Sequence, residues 1–344
     1  MPEEQKKKKG RKKVLRIILI ILACLVVLAG VTVLVNRQAS KEYFSCAEKA
    51  FTYPELKDGF IPQGIYYDKE TDCFFITGYK AKHTPSPVYV VRRSDGQLMA
   101  SASLMTEDGS INDAHCGGIA CYGDYLYLTS GFRGMYIYSR SDVLHAKEGE
   151  EIRELGHFQF EYGGEVFKPS FCTVHDGMLM IGEFYFPVIL SSPKNHHFET
   201  PAGDHTKALA LNFRLDTEKA FGIDMDPVSA YTIPERAQGI CFADGKFLVS
   251  QSFAPVPSKI RVYDYDKAER FADFDGIPVY ALDHSVETAE WTLPPFAEEL
   301  EYIDGNLLTM SEAATVECLI GKLMGMEWCY RIKPGQGSFL LDRS

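Results

Sequence analysis

Carboxylates, amides and one imidazole stand at the two ends of a repeated phrase, and those ends are where chemistry could sit. The phrase is two short apolar runs around a tight acidic or glycine turn. Five copies align: IPQGIYYDKETDCFFITG from Ile61, CGGIACYGDYLYLTSG from Cys116, KPSFCTVHDGMLMIGE from Lys168, RAQGICFADGKFLVSQ from Arg236 and PFAEELEYIDGNLLTMSE from Pro295. At the start of the first run stand Gln63, Gly117 (with His115 two residues earlier), Ser170, Gln238, and Glu298 or Glu299. At the end of the second run stand Glu183, Gln251, Ser311 and Glu312. Glu183, His115, Glu298 and Glu299 are the candidate catalytic groups. Gln63, Ser170, Gln238, Gln251, Glu312 and Arg133 are the candidate ligand-binding groups.

Two chemistries suit such a set. His115 or a glutamate tuned by neighbouring charge could act as a general acid or base. Alternatively, oxygens could hold a hard cation, with Glu183 and Glu298 as ligands and calcium as the ion. Glu183 lies in MIGEFYF, between apolar and aromatic residues. A carboxylate in that setting must be paired, metal-bound or shifted in pKa, which makes it the strongest single candidate. Strand alternation sends one of Glu298 and Glu299 away from a common centre. Gln63 and Gln238 also have a plain structural reading, as hydrogen-bond partners of water or exposed backbone.

Other constellations are weaker. SSPKNHHFETPAGDH, residues 191–205, holds three histidines and an aspartate. It could bind a transition metal, but its Pro-rich composition reads first as a solvated loop. Ser191 and Lys194 match S-x-x-K, a four-residue coincidence beside Pro193. The chain has no G-x-S-x-G, no H-E-x-x-H, no phosphate loop and no N-x-S/T sequon. Tyr79, Phe132, Phe184, Tyr185, Phe186 and Phe253, with Arg133, follow the second runs. They would form an apolar wall over one mouth.

The elements that must position these residues follow from the repeat. After each copy comes a third run rich in aromatic and β-branched residues: PVYVVRRS, GMYIYSRS, ALALNFRL, KIRVYDYD and EWCYRIKP. A fourth precedes the next copy: QLMASASL, EIRELGHFQF, PVSAYTIP and VETAEWTLP. That gives four fourth strands for five units. The missing one stands at the front, in AFTYPEL, Ala50 to Leu56. Four-stranded units at this spacing predict an all-β fold, a five-bladed β-propeller over about residues 45–335, its ring closed by the N-terminal strand. Residues 265–286 and 191–206 are long enough to conceal further strands, so six blades stand as the alternative.

The repeated Gly-Ile phrase resembles exported bacterial β-propellers, including lactonase-like and sugar-lactone-hydrolysing ones. That resemblance implies a hydrolase held together by a central calcium with Glu, Asn and Asp ligands. Five-bladed propellers also include glycosidases that use central carboxylates, though no motif here is specific to those families.

The first residues belong to another element. MPEEQKKKKGRKK is a basic tail, residues 1–13, and Val14 to Val35 is a 22-residue run whose only charge is Arg16. At about 1.5 Å per residue it spans a ~30 Å hydrocarbon core, and the basic tail predicts a cytoplasmic N-terminus. Residues 36–44 read as a linker and 45–344 as an ectodomain outside the cytoplasm. A cleaved signal peptide and a lipoprotein signal at Cys24 are the competing readings. Nine of the 36 Lys and Arg and two of the 47 Asp and Glu precede residue 38. The remainder, with 27 basic and 45 acidic residues, is poorly suited to nucleic acid. Of the cysteines beyond the apolar run, Cys116, Cys172 and Cys241 start apolar strands and read as small hydrophobes. Cys318 and Cys329 are positioned to pair across a hairpin turning near Lys322 to Gly325.

The functional expectation is a single-pass membrane protein whose propeller binds a small molecule or protein partner at its channel rim. The alternative is a lactonase-like or glycosidase-like hydrolase. A third reading is a scaffold without a small-molecule site.

Overall fold

The structure is a computed structural model that describes residues 2–316, 318, 320–337 and 339–342. Five antiparallel sheets stand as blades around an axis. Blade 1 comprises Ile61–Asp68, Cys73–Tyr79, Pro87–Arg92 and Leu98–Met105. Blade 2 comprises Gly118–Tyr122, Tyr125–Thr129, Met135–Ser139 and Gly156–Phe158. Blade 3 comprises Pro169–His175, Met178–Glu183, Ala208–Leu215 and Ile223–Ile233. Blade 4 comprises Ala237–Ala243, Lys246–Gln251, Ser258–Tyr263 and Glu287–Leu293. Blade 5 takes Ala297–Ile303, Asn306–Ser311 and Trp328–Ile332, and its fourth strand is Glu48–Thr52, from the start of the propeller. Glu48 faces Arg331 and Thr52 faces Trp328. The closing strand therefore lies two residues earlier than Ala50, and the ring has no open edge at this joint.

Local chemistry explains the repeat. The turns Asp176-Gly177, Asp244-Gly245 and Asp304-Gly305 have positive φ at both residues, which Asp tolerates and Gly accepts freely. The strands fill five buried clusters, one at each blade-to-blade contact. The cluster joining blade 5 to blade 1 holds Phe51, Phe60, Ile65, Phe74, Ile76, Leu308, Met310 and Cys329. Cys116 and Cys121 lie in the next cluster, Cys172 in the one after, and Cys241 at the contact of blades 4 and 5.

Three departures from expectation have local causes. EIRELGHFQF splits. Ser139 caps a helix, Arg140–His145, by accepting from the Asp142 amide, and the helix carries the chain sideways. Glu150–Arg153 then adds in parallel to the edge of blade 1, and only Gly156–Phe158 serves blade 2. Residues 265–286 make no sixth blade. Arg270–Phe274 and Ile277–Tyr280 form a hairpin that joins the outer edge of blade 3 in parallel. No disulfide joins Cys318 to Cys329. The segment before Cys329 forms a helix, Ile320–Met324, in place of a hairpin turn, and Cys329 is buried beside Thr309.

The N-terminal helix runs from Pro2 to Ala39 and is followed by a short helix, Lys41–Cys46. Over Arg11–Ala39 it is long and apolar enough to cross a membrane, which suits a single-pass anchor or a signal sequence. Residues 36–44 are mostly helical and packed on the propeller, with Asn36, Ser40 and Tyr43 buried.

Candidate functional site

The leading end of each innermost strand carries an irregularity, and those irregularities build the site. In blade 1, Pro62 faces Gly78 and Gly64 faces Thr77, so Gln63 is an extra residue. In blade 3, Ser170 is extra between Pro169 and Phe171. Gln238 is extra in blade 4, between Ala237 and Gly239. In blade 5, Ala297 faces Ser311 and Leu300 faces Thr309, so Glu298 and Glu299 together oppose one residue. A bulge of this kind breaks the in–out alternation and re-aims a side chain. Gln63, Ser170, Gln238 and Glu298 all turn into one axial cavity of about 970 Å³.

His115, Gly117 and Glu312 complete its polar floor. Gln63 Nε2 donates to Glu312 Oε2 at 2.8 Å and to its neighbour's carbonyl, Pro62 O, at 3.0 Å. The walls are Tyr79, Phe132, Phe184, Ile189, Leu190 and Phe253, with Lys82, His83, Asp113 and Arg133 at the mouth. The His83 amide, 3.1 Å from Asp113 Oδ2, and Arg133, whose Nη1 lies 2.9 Å from Asp113 Oδ1, hold the Asp113 carboxyl below its usual range, and Asp113 in turn holds Arg133 charged. Tyr185 is buried beneath the rim against His197, and Phe186 stacks on Phe253 at 4.1 Å.

Titration in the cavity is set mainly by burial. Loss of water raises the Glu298 carboxyl well above its usual range, and the charges of Glu312 and Glu299 raise it further. His115 packs on Tyr79 with ring centroids 4.3 Å apart. Enclosure by the cavity walls lowers its pKa below the usual imidazole range. His115 keeps an exposed surface toward the cavity. A protonated Glu298 can donate, Glu312 can accept, and a neutral His115 can do either.

Glu299 does not line the cavity. It lies below it, where Oε2 accepts from the Ile65 amide at 2.9 Å and the Ile119 amide at 3.3 Å. Glu301 lies on the same strand face and accepts from the Tyr67 amide at 2.9 Å. These carboxyls satisfy inner-edge amides that no strand can reach. The crowding also explains the repeated glycine. A Cβ on Gly239 would sit 2.5 Å from Glu299 Cα, and one on Gly64 would sit 2.9 Å from Glu299 Oε2. The expectation that alternation expels one of the two glutamates therefore fails, because the bulge turns both inward at different depths.

Glu183 and Gln251 are placed elsewhere. Both Glu183 oxygens lie within 3.0 Å of His196 Nδ1, and Oε2 also accepts from the Leu209 amide at 3.3 Å. Glu183 and His196 are both buried, the latter against Phe167 and Phe274. Glu183 is thus a paired carboxylate that ties the 191–206 segment to blade 3, and His196 is not in a solvated loop. Gln251 donates to the Glu235 carbonyl and accepts from Arg261 Nε at 3.0 Å, at the side of a separate cavity of about 230 Å³. Ser311 is buried and donates to the Pro295 carbonyl.

Among the described residues no three His, Cys, Asp or Glu side chains are placed to hold a metal ion. Calcium takes six to eight oxygens, and a set built on Glu183 and Glu298 does not fit it, since Glu183 is spent on His196. The sequence reading missed Lys82, His83, Asp113, Ile189 and Leu190. Of these only Asp113 had a visible signal, two residues before His115.

No protein-family profile matches the sequence, and none of the curated proteins does. Solved structures do align with it. Glutaminyl cyclase from Myxococcus xanthus covers 83% of this chain and 94% of its own, at 11% identity and a TM-score of 0.39. An exo-β-1,3-galactanase from Phanerochaete chrysosporium, solved with β-1,3-galactotriose, covers 83% of this chain and 63% of its own, at 10% identity and a TM-score of 0.46. A nidogen/laminin complex aligns over 74% of this chain and 73% of its own, at 9% identity and a TM-score of 0.38. These likenesses concern the propeller fold alone.

Proposed function

We propose that this chain is a membrane-anchored propeller, held outside the cytoplasm, that binds a small polar ligand in its axial cavity. The observation that carries this reading is the convergence of four bulges, which turn Gln63, Ser170, Gln238 and Glu298 into one volume. A bulge gives up ladder pairing, and here that loss recurs in four blades at one level. Amides and carboxyls below an aromatic wall suit a hydroxylated or amine-bearing ligand, with an apolar face stacked on Phe132, Phe184 or Phe253.

A second reading has its own support. Glu298, kept protonated by burial, and Glu312, held by Gln63, form an acid beside an acceptor in the same cavity. That arrangement supports a hydrolase acting on a glycosidic or lactone bond.

The test uses the full-length protein in detergent. Thermal shifts are measured against neutral sugars, amino sugars, sugar lactones and polyamines, and hydrolysis is followed with nitrophenyl glycosides and lactones. A shift lost in both Gln238→Ala and Glu298→Gln supports the cavity as the binding site. Turnover lost in Glu298→Gln selects the hydrolase. If both variants raise stability and leave every shift and rate unchanged, the axial cavity is architecture only.

A further inference from the structure

The N-terminal helix arrives on the same face of the propeller as the mouth of the cavity. Asn36 Nδ2 donates to the Pro255 carbonyl at 3.1 Å, in the loop that brings Phe253 into the cavity wall. The end of the helix also packs on Ile320–Met324, in the segment that follows Glu312. Val33 rests on the buried cluster between blades 4 and 5. Tyr43 fixes the exit, its hydroxyl 2.6 Å from Thr309 Oγ1. The apolar run ends at Val35; Val33 within it already packs on the propeller, and Asn36, the next residue after the run, hydrogen-bonds to it. No stalk separates the two, since one residue of helix is about 1.5 Å long.

The loops of that face share a composition. Phe132 of blade 2, Val188 and Ile189 of blade 3, Val256 of blade 4, and Val316 and Leu323 of blade 5 are all exposed, Val188 at 86%. Lys82, Lys168 and Lys322 stand among them. The opposite face carries the hairpin turns, each with an exposed aspartate: Asp72, Asp124, Asp176, Asp244 and Asp304. On the opposite face Arg93 pairs with Asp72 and Asp304, so the contrast between the faces lies in the apolar loop tips and their lysines, which suit an anionic lipid surface.

We propose that the cavity-mouth face of the propeller lies on the surface of the bilayer that holds its own helix. The apolar loop tips enter the interface, and the cavity opens into the headgroup layer. A ligand then reaches Gln63, Gln238 and Glu298 from the plane of the membrane. The proposal rests on the reading of the helix as a retained anchor.

The test uses the full chain in vesicles of phosphatidylethanolamine and phosphatidylglycerol whose acyl chains are brominated. Tryptophan is introduced as Val188→Trp on the mouth face, with Phe132→Trp as a conservative second position on another blade. Leu98→Trp, on the opposite side, is the control. Quenching in excess of the parent chain should be at least about twofold for the two mouth-face variants and near nil for the control, because the quencher lies within the bilayer interior. Alkaline washing separates the two ways to fail. A chain that washes off the vesicles overturns the anchor and the proposal together. A chain that stays inserted, with all three variants quenched alike, overturns the proposal and leaves the anchor standing.

Discussion

Glu299 is the most exacting place to perturb the ring, because one oxygen serves two blades. Glu299→Ala removes the acceptor of the Ile65 and Ile119 amides and opens a void at the axis. Each buried donor left unsatisfied costs about 1–3 kcal/mol, so the expected loss is about 2–6 kcal/mol before packing is counted. That is a large part of the ~5–15 kcal/mol that holds a typical domain folded. Glu299→Gln keeps an acceptor oxygen in place. Burial holds the native carboxyl pKa well above its ordinary value, against the pull of its backbone donors. The native state therefore binds more protons than the unfolded chain between pH ~4.3 and its native pKa. The group's stabilising contribution is complete below that pH and is lost as pH rises through the native pKa. Urea unfolding at pH 5 and pH 8 reads both effects. At pH 5 the Gln variant should lie within about 1 kcal/mol of wild type, and its relative stability should improve at pH 8. An Ala variant as stable as wild type would refute the role assigned to Glu299, as would a Gln variant as damaged as Ala at pH 5.

Three further outcomes are expected. His196→Ala strands a buried carboxylate at Glu183 and should cost about 3–5 kcal/mol by chemical denaturation, whereas the double change Glu183→Leu/His196→Leu should cost much less. Phe51→Ala, in the closing strand, should cost about 3–5 kcal/mol in the same assay, and a loss below 1 kcal/mol would mean that the joint is not closed as described. His115 should titrate well below 6.5 by NMR, staying neutral through physiological pH. Because its native pKa is lowered, its contribution to stability is present above about 6.5 and lost as pH falls through the native pKa.

The blades were legible because their signals are local. An acidic or glycine turn, an apolar run and a polar stop recur within each copy, and the count of fourth strands points to the closing strand. The pockets around Glu183 and Glu299 were not legible, because their partners come from other parts of the chain. His196 lies 13 residues after Glu183 in a segment whose composition suggests solvent, and only Phe167 and Phe274 make it a core residue. Alternation misjudged Glu298 and Glu299 for a different reason. A bulge leaves no mark in composition, and it changes which face every later residue presents.

The same bulges bear on how the ring is used. Five inner strands converge so tightly that glycine is required at Gly64 and Gly239, and Glu299 and Glu301 fill the axis beneath the cavity. A ligand therefore has one approach, through the end where the bulges turn side chains upward. The helix docks beside that end, through Asn36 and Pro255. Had the chain been anchored through the aspartate turns, the cavity would face away from the bilayer and sample soluble ligands freely. On the proposed reading of the helix as a retained anchor, anchorage at the mouth would couple what the cavity can meet to what the membrane carries. On that reading the position of Asn36, one residue beyond the apolar run, would bear on ligand choice as much as any residue on the cavity floor.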